Sequence, residues 1–178
     1  IGRVALANST TAANNVAIGR NALLATTTGI NNTALGYNAG LSMTSGQQNV
    51  FVGAQSGDAI TTGENNTAVG QGALTNDDVG LGSTAIGTQA MVHQNMASAT
   101  YTLNTAVGFQ SLYYNVTGAG NTALGYRAAF GSVSGATHSS NTAIGYHALK
   151  DITTGNSNTA VGAGSLDANT TASDCTAV

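Results

Sequence analysis

The sequence predicts an all-β chain: a parallel β-solenoid of about ten 17-residue coils, forming a single repeat domain over residues 1–178. Three observations predict this fold. A short phrase returns along the whole chain, its copies are almost evenly spaced, and the composition carries little charge. Repetition at a fixed period is typical of proteins that stack one structural unit on the next.

The phrase reads "NNTALGYNAG" at 31–40 and returns as "NNTAVGQGAL", "NTAVGFQSL", "NTALGYRAA", "NTAIGYHAL" and "NTAVGAGSL". Successive anchor residues are 17 positions apart, except for two longer steps of 21 and 20. These steps predict insertions near 91–101 and 130–140, and insertions in solenoids form loops that often lie on a binding face. The anchor is Ser83 or Cys175 in two copies and asparagine in the others: Asn15, Asn32, Asn49, Asn66, Asn104, Asn121, Asn141 and Asn158.

Each anchor is followed by Thr or Val, then almost always Ala, then Ile, Leu or Val, which is a short β-run. The two branched positions share one face, which we interpret as the core. The Ala column, broken only by Phe51, allows another backbone layer to approach closely. That layer is either the opposite wall of the coil or a neighbouring subunit. So short a strand needs the next coil to pair with it in register, about 4.8 Å higher.

The rest of each coil is predicted from turn residues and from the corner asparagines. The anchor asparagines are expected to form a ladder, each amide bonding the copies above and below. The second half of the coil, for example "ALLATTT" or "ALKDITT", is predicted to be a second strand, and "RVALA" at 3–7 a degenerate first rung. Glycines four positions after the anchor are expected to take the positive φ of tight turns: Gly19, Gly36, Gly53, Gly70, Gly87, Gly108, Gly125, Gly145 and Gly162.

The composition excludes several classes of function. The chain has four basic and seven acidic residues, a net charge of −3, and no proline. The basic residues are scattered, so we predict no nucleic-acid partner. No apolar run approaches the ~20 residues that span a bilayer, so we predict no membrane insertion by this segment. We expect the chain to be a fragment of a longer solenoid protein.

Several residues suggest a metal-binding or phosphate-binding motif, but none of them completes such a motif. His93, His138 and His147 have no metal-ligand spacing, and we interpret them as solvated loop residues, because His93 and His138 fall in the two insertions. Cys175 has no companion, and Asp77-Asp78 is predicted to be a turn. The stretch "GLGSTAIG" resembles a phosphate loop but lacks the Lys and the helix that such a loop needs. We therefore predict no catalytic residue, no metal and no cofactor, and a protein that is not an enzyme.

Aromatic residues recur in the column five positions after the anchor. On consecutive coils they should stack along one edge of the rod, and two further tyrosines lie nearby in sequence. One interpretation is a ladder that packs the rod or a seam between subunits. The other is a surface for a glycan or another partner, formed by Tyr37, Phe109, Tyr126, Tyr146, Tyr113 and Tyr114.

The phrases "NNVAIGRNAL", "NTAVGFQSL" and "NTAIGYHAL" resemble two related repeat classes over essentially the whole chain. One is the β-roll head of trimeric bacterial autotransporter adhesins. The other is the "NTAxGYxAL" repeat of phage tail-fibre proteins. The resemblance implies a homotrimeric shaft or head, outside the cell on a virion tail fibre or a bacterial surface. It also implies attachment to a host or surface, with the chain itself and a cell-surface glycan or receptor as partners.

Two alternatives to an adhesive fibre follow from the same repeats. The phrases also resemble those of grass-type ice-binding solenoids, in which a flat rank of Thr at ~4.8 Å spacing orders water. Val at positions 16 and 50, and the aliphatic residues on the same face, count against this alternative. A polysaccharide-active β-helix is the third reading, and the sequence lacks the clustered charged residues that such enzymes carry.

Overall fold

The computed structural model describes residues 1–178 as a stack of coils with ten short strands and no helix. Each coil contributes one strand to a single sheet, and neighbouring strands are parallel. The register follows the repeat, because Thr33 pairs with Val16 on one side and with Val50 on the other. The predicted all-β parallel solenoid of about ten 17-residue coils is therefore confirmed. The strands are β1 Val16–Ile18, β2 Thr33–Leu35, β3 Val50–Val52, β4 Thr67–Val69, β5 Thr84–Ile86, β6 Thr105–Val107, β7 Thr122–Leu124, β8 Thr142–Ile144, β9 Thr159–Val161 and β10 Thr176–Ala177.

The sheet turns its Ala column inward and its branched columns outward, so the prediction of a branched core was wrong. In β2, Ala34 is fully buried while Thr33 is half-buried and Leu35 is exposed. Residues two apart in a strand share a face. The inward anchor Asn32 therefore brings Ala34 inward with it and sends its two neighbours out.

The core lies between two walls of the same coil. The Ala column of the sheet and the buried Ala, Leu and Met residues seven and eight positions after the anchors pack into one cluster. It is the opposite wall, and not a second subunit, that approaches the Ala column. Phe51 fits because Gly40 and Gly57 stand where other coils carry Leu, and a Cβ on Gly40 would lie 2.8 Å from its ring.

The second half of each coil is a run of turns, so the prediction of a second strand was wrong. Leu23 and Asn21 have φ of 51° and 60°, and the equivalent residues of other coils share this left-handed conformation. The backbone still bonds from coil to coil, for example from Leu23 N–H to Ala39 O at 3.0 Å. Of 104 backbone hydrogen bonds, 86 lie outside the strands, so these turns carry most of the ladder.

The first residues belong to this turn half. Gly2 stacks on Gly19, where an added Cβ would meet the Gly19 carbonyl, and Leu6 N–H donates to Ala22 O at 3.0 Å. The prediction that "RVALA" is a first rung of the sheet was therefore wrong. This segment forms the turn wall of an earlier coil. With no helix in the chain, no helix is available to cross a membrane.

Candidate functional site

The broadest surface feature is the outer face of the sheet, made of a Thr/Val column and an Ile/Leu/Val column. The side chains are in register along ten strands and none is charged. Val16 and Leu124 remain 48% and 47% exposed, and Thr122 is also exposed. Most other Thr of the column are half-buried because their copies stand above and below them. We call these two columns the sheet face.

The anchor asparagines form a buried ladder along one corner. Asn32 shows the pattern: its Oδ1 accepts from Asn49 N–H at 2.9 Å, and its Nδ2 donates to Gly46 O at 2.9 Å. In each coil with an asparagine anchor, the carbonyl three positions before the next anchor is thus tied to the corner. The same bond from side-chain oxygen to backbone N–H recurs from Asn15, Asn49, Asn66, Asn104, Asn121, Asn141 and Asn158.

The glycines four positions after each anchor stack directly on one another. Gly53 has φ of 130°, and a Cβ there would lie 2.6 Å from Gly70 O. Both the backbone conformation and the close approach of the next coil therefore require glycine. The other turn glycines named above share a φ between 121° and 147°.

The first insertion interrupts the asparagine ladder, and a buried glutamine replaces the missing link. Gln94 Nε2 donates to Asp77 Oδ2 at 2.6 Å and to Ser83 Oγ at 2.7 Å. Its Oε1 accepts from Asn104 Nδ2 at 2.9 Å. All four side chains are fully buried, so one glutamine joins the coils on either side of the insertion.

The second insertion places a histidine in the core. His138 is fully buried, its Nδ1 lies 3.4 Å from Asn141 Nδ2, and its Nε2 has no hydrogen-bond partner. Burial lowers the pKa of His138 to about 4, so the imidazole is neutral at physiological pH. The interpretation of His138 as a solvated loop residue, made from its place in the insertion, was wrong.

Three aromatic residues on consecutive coils form a stacked ladder. The rings of Phe109 and Tyr126 are 5.6 Å apart at 8°, and those of Tyr126 and Tyr146 are 5.2 Å apart at 10°. The faces are thus turned towards one another, and the ladder presents ring edges and hydroxyls to solvent. Tyr37, in the same column, stands apart from them and lies under Arg20 at 5.9 Å.

A second aromatic cluster lies beside this ladder. Tyr113 stacks on Phe130 at 5.3 Å and Tyr114 stacks on His93 at 4.9 Å, with the two stacks perpendicular to each other. Burial lowers the pKa of His93. Sequence reasoning missed Phe130 and His93, although they lie nine and ten positions after their anchors, like the two tyrosines.

Arg127 joins the ladder and the cluster. Its guanidinium carbon lies 5.4 Å from the ring centre of Tyr126 and 4.8 Å from that of Phe130. Its Nε donates to Gln110 Oε1 at 2.8 Å, which fixes the guanidinium against the rings. We call the ladder, the cluster, Arg127 and His147 the aromatic strip, and its members are His93, Phe109, Tyr113, Tyr114, Tyr126, Arg127, Phe130, Tyr146 and His147.

The two insertions emerge next to the aromatic strip. Asn95 N–H donates to Val116 O, and Val116 N–H donates to Ala136 O, so the coil that holds Tyr113 and Tyr114 lies between them. Residues 97–101 and 132–135, which are exposed, form the projecting parts. The predicted breaks in the period therefore lie on one side of the rod.

The one cavity of the chain lies elsewhere, on the turn wall of the third and fourth coils. It has a volume of about 250 Å³ and is lined in part by Ser42, Asp58 and Thr75. Burial raises the pKa of Asp58, and its Oδ1 has no hydrogen-bond partner. The carboxylate stands alone there, without a second acid or a histidine.

The structure gathers no group of three His, Cys, Asp or Glu side chains that could hold a metal ion. Asp77 turns inward and accepts from Gly80 N–H at 3.0 Å, while Asp78 points out to solvent, so the two carboxylates do not share a site. In "GLGSTAIG", the Ser-Thr-Ala-Ile segment runs into β5, so no helix follows the glycines.

No family model matches the chain, and no curated protein or solved structure is significantly similar to it. Its own geometry therefore defines the class of protein: a tandem-repeat parallel β-solenoid with an uncharged sheet face, a buried asparagine ladder and one aromatic strip.

Proposed function

We propose that this chain is a non-enzymatic structural and adhesive segment, a homotrimeric shaft or head of an extracellular attachment fibre. The fibre belongs to a phage tail or to a bacterial surface adhesin. The observation that carries this proposal is the sheet face, ten strands long and without a charge, which a single chain leaves uncovered.

The sheet face carries one continuous column of aliphatic side chains, several of them exposed, along the whole rod. Ten strands at ~4.8 Å spacing make it about 45 Å long. Contiguous apolar patches beyond a few hundred Å² usually mark an interaction surface. Burying this face against a partner removes aliphatic side chains such as Ile18, Leu35 and Leu124 from water.

The periodicity of the sheet face favours a second copy of the chain as its partner. The ridges of Thr and aliphatic side chains repeat at the strand spacing, and a partner interdigitates along the whole length only if it has the same repeat. Another copy meets that condition over all coils. With no charged residue on the face, association relies on shape and apolar burial.

The proposed role follows from the mechanics of a stack. Each coil is tied to the next by backbone bonds and by the asparagine corner, which makes the rod stiff along its axis. A stiff rod holds a recognition surface at a fixed distance from the body that carries it. The aromatic strip, between the two insertions, is the surface that we assign to recognition.

Light scattering of the purified chain over a range of concentrations tests the assembly. We expect a particle of three times the 17.5 kDa chain mass. Leu124→Lys places a charge on the sheet face and should give monomers with unchanged circular dichroism. Thr62→Lys, at an exposed position outside the sheet face, is the matched control and should stay trimeric. A monomeric parent chain would contradict the proposal.

One observation favours a second candidate, an ice-binding solenoid. The Thr column points outward in register on the sheet face, as a rank of Thr must do to order water into an ice lattice. A face used for ice must be free, so a monomer with thermal hysteresis would support this function. Thr84→Lys should then abolish the hysteresis and Thr62→Lys should not. No observation favours a polysaccharide-cleaving enzyme.

A further inference from the structure

We propose that the aromatic strip binds a linear, carboxylate-bearing polysaccharide of the uronic-acid kind, and that Arg127 is the residue that recognises its carboxylate. This inference rests on the proposed attachment function and names the class of ligand. It depends on three features of the strip: a fixed guanidinium, a row of ring edges, and the local distribution of charge.

The guanidinium of Arg127 is held in place but keeps donors free. Its Nε is bonded to Gln110 Oε1, and Gln110 Nε2 is bonded in turn to Gln89 Oε1 at 2.9 Å. The rings of Tyr126 and Phe130 support it from the protein side. The two terminal nitrogens donate to no atom of the chain, and such a planar pair matches a carboxylate with two parallel hydrogen bonds.

Arg127 also lacks an acidic partner. The chain contains one ion pair, Lys150 with Asp151 at 3.5 Å, and none with Arg127. The strip itself contains no Asp or Glu: its other polar members are His93, His147 and the tyrosines. A half-buried cation set among aromatic rings without a counter-charge favours an anionic ligand.

The ladder explains why the ligand is a polymer of hydroxylated units. Because Phe109, Tyr126 and Tyr146 use their faces on one another, they cannot offer a flat ring to stack beneath a sugar. They offer instead a row of polar edges. Tyr126 and Tyr146 are 38% and 58% exposed, and their hydroxyls bond to no atom of the chain.

The spacing of this row suits a polysaccharide lying along the rod. Neighbouring rings repeat every 5.2 to 5.6 Å, which is close to the advance per residue of an extended pyranose chain. Successive sugars can therefore meet successive tyrosine hydroxyls while one carboxylate reaches Arg127. There is no cavity at the strip, as expected for a shallow surface that reads an extended chain.

Calorimetric titration of the full chain tests the proposal with a matched pair of probes. The probes are a β-1,4-linked hexamannuronate, whose diequatorial linkages give the extended chain that the ring spacing requires, and its methyl ester, which has the same rings but no charge. We expect the acid to bind and the ester to bind at least about tenfold more weakly, as loss of a charge-assisted pair of hydrogen bonds implies.

Two variants distinguish specific recognition by Arg127 from nonspecific binding to any exposed arginine. Arg127→Met keeps an apolar stem on the rings and should weaken binding of the acid about tenfold or more. Arg20→Met removes the other arginine that lies over a tyrosine, Tyr37, and should leave binding unchanged. Equal binding of acid and ester, or full binding by Arg127→Met, would overturn the proposal.

The same samples are measured by light scattering, so the two proposals can fail separately. A trimer that does not bind the acid overturns the assignment of the strip and leaves the fibre intact. A monomer that binds the acid, with the loss on Arg127→Met, supports the strip and overturns the trimeric fibre.

Discussion

Two regions of the rod have the same backbone arrangement and differ in the side chains that fill their cores. In the regular region, residues 15–65, the inward position eleven after each anchor holds Thr26, Met43 and Ile60, and the spacing is constant. In the inserted region, residues 66–140, the corresponding space holds polar side chains and the spacing is broken twice. Those side chains are Asp77, Gln94, Asn115 and His138, all buried.

This difference shows which interactions fix the fold. The strands stay in register through both regions, and the turn glycines stack in both. The backbone hydrogen bonds between coils therefore determine how the coils stack. The core can hold either apolar or polar side chains, provided that the buried polar atoms have hydrogen-bond partners. Gln94 meets that requirement with four hydrogen-bond partners, and His138 meets it only in part.

The largest loss of stability should come from disrupting the stacked glycines, which both regions share. Gly53→Ala imposes a φ of 130° on a residue with a Cβ and drives that Cβ to 2.6 Å from Gly70 O. We expect a loss of more than about 5 kcal/mol in the free energy of unfolding, measured by denaturant titration.

The control for this substitution is a glycine of the inserted region. Gly135 has φ of 97° but an added Cβ meets nothing within 4 Å. Gly135→Ala should cost only about 1 to 2 kcal/mol of backbone strain. Equal losses at Gly53 and Gly135 would show that strain, and not the close approach of the next coil, requires the glycines.

The next effect concerns the one bulky side chain in the Ala column. Phe51→Ala should cost about 3 to 4 kcal/mol because it empties the space between the walls. Gly57→Leu should also destabilise the chain, because its side chain would collide with the Phe51 ring. Leu23 shows that leucine tolerates the φ of this column.

The double variant tests whether the side chains at positions 51 and 57 occupy the same space in the core. With Phe51→Ala and Gly57→Leu together, the coil regains the pattern of its neighbours, and the combined loss should fall below the sum by about 1 to 3 kcal/mol. Strict additivity would mean that the two residues do not share the same space.

The sequence was sufficient to predict the solenoid and its period, because both depend on local spacing. The sequence also indicates which face of the strands is turned towards the core. Since Asn32 and Ala34 lie two apart, an inward asparagine ladder already places the Ala column inside. The more apolar branched residues predict a branched core, but the walls of a 17-residue coil stand so close that the inward column holds alanine, except at Phe51, where Gly40 and Gly57 leave space for the ring.

Other features could not be read from the repeat. The turn wall contains left-handed leucines such as Leu23, a conformation that no propensity of leucine favours and that hydrogen bonds to the next coil impose. The roles of Gln94 and His138 depend on how the insertions fold back into the core. Gly40 and Gly57, in contrast, can be recognised in the sequence, because they replace the usual leucine in the coil before Phe51 and in the coil of Phe51 itself.

The third effect belongs to the inserted region alone. Gln94→Ala leaves Asp77 Oδ2 and Asn104 Nδ2 without one of their partners in a buried site. We expect a loss of about 3 kcal/mol in the free energy of unfolding, since unpaired buried polar groups are costly. Gln71→Ala, at an exposed position, is the control and should change stability by about 0.5 kcal/mol or less. Equal effects would mean that Gln94 does not join the two halves of the ladder.

A smaller effect should appear on acidification, again from the inserted region. The pKa of His138 is about 4 in the folded chain against 6.5 for an ordinary histidine, so the unfolded chain binds its proton more readily. The contribution to stability is complete above pH 6.5 and is lost as the pH falls towards 4. At ~pH 5 the loss should be about 2 kcal/mol.

His138→Met tests the source of this pH dependence. Methionine occupies the equivalent space at Met43, and the variant should lose most of the dependence between pH 6.5 and 4. His93 adds a smaller effect of the same sign, because its pKa is also lowered. An unchanged pH profile in His138→Met would place the titrating group elsewhere.

The smallest effect is expected from salt. The chain has one ion pair, Lys150 with Asp151, and both side chains are about one-third exposed. Such pairs contribute about 1 kcal/mol or less. Raising NaCl from ~0.01 M to ~1 M shortens the Debye length from about 30 Å to about 3 Å, and the free energy of unfolding should change by less than ~1 kcal/mol. A larger change, retained in Lys150→Met, would mean that scattered charges contribute to the stacking of the coils, against the view that backbone bonds and the asparagine corner hold both regions together.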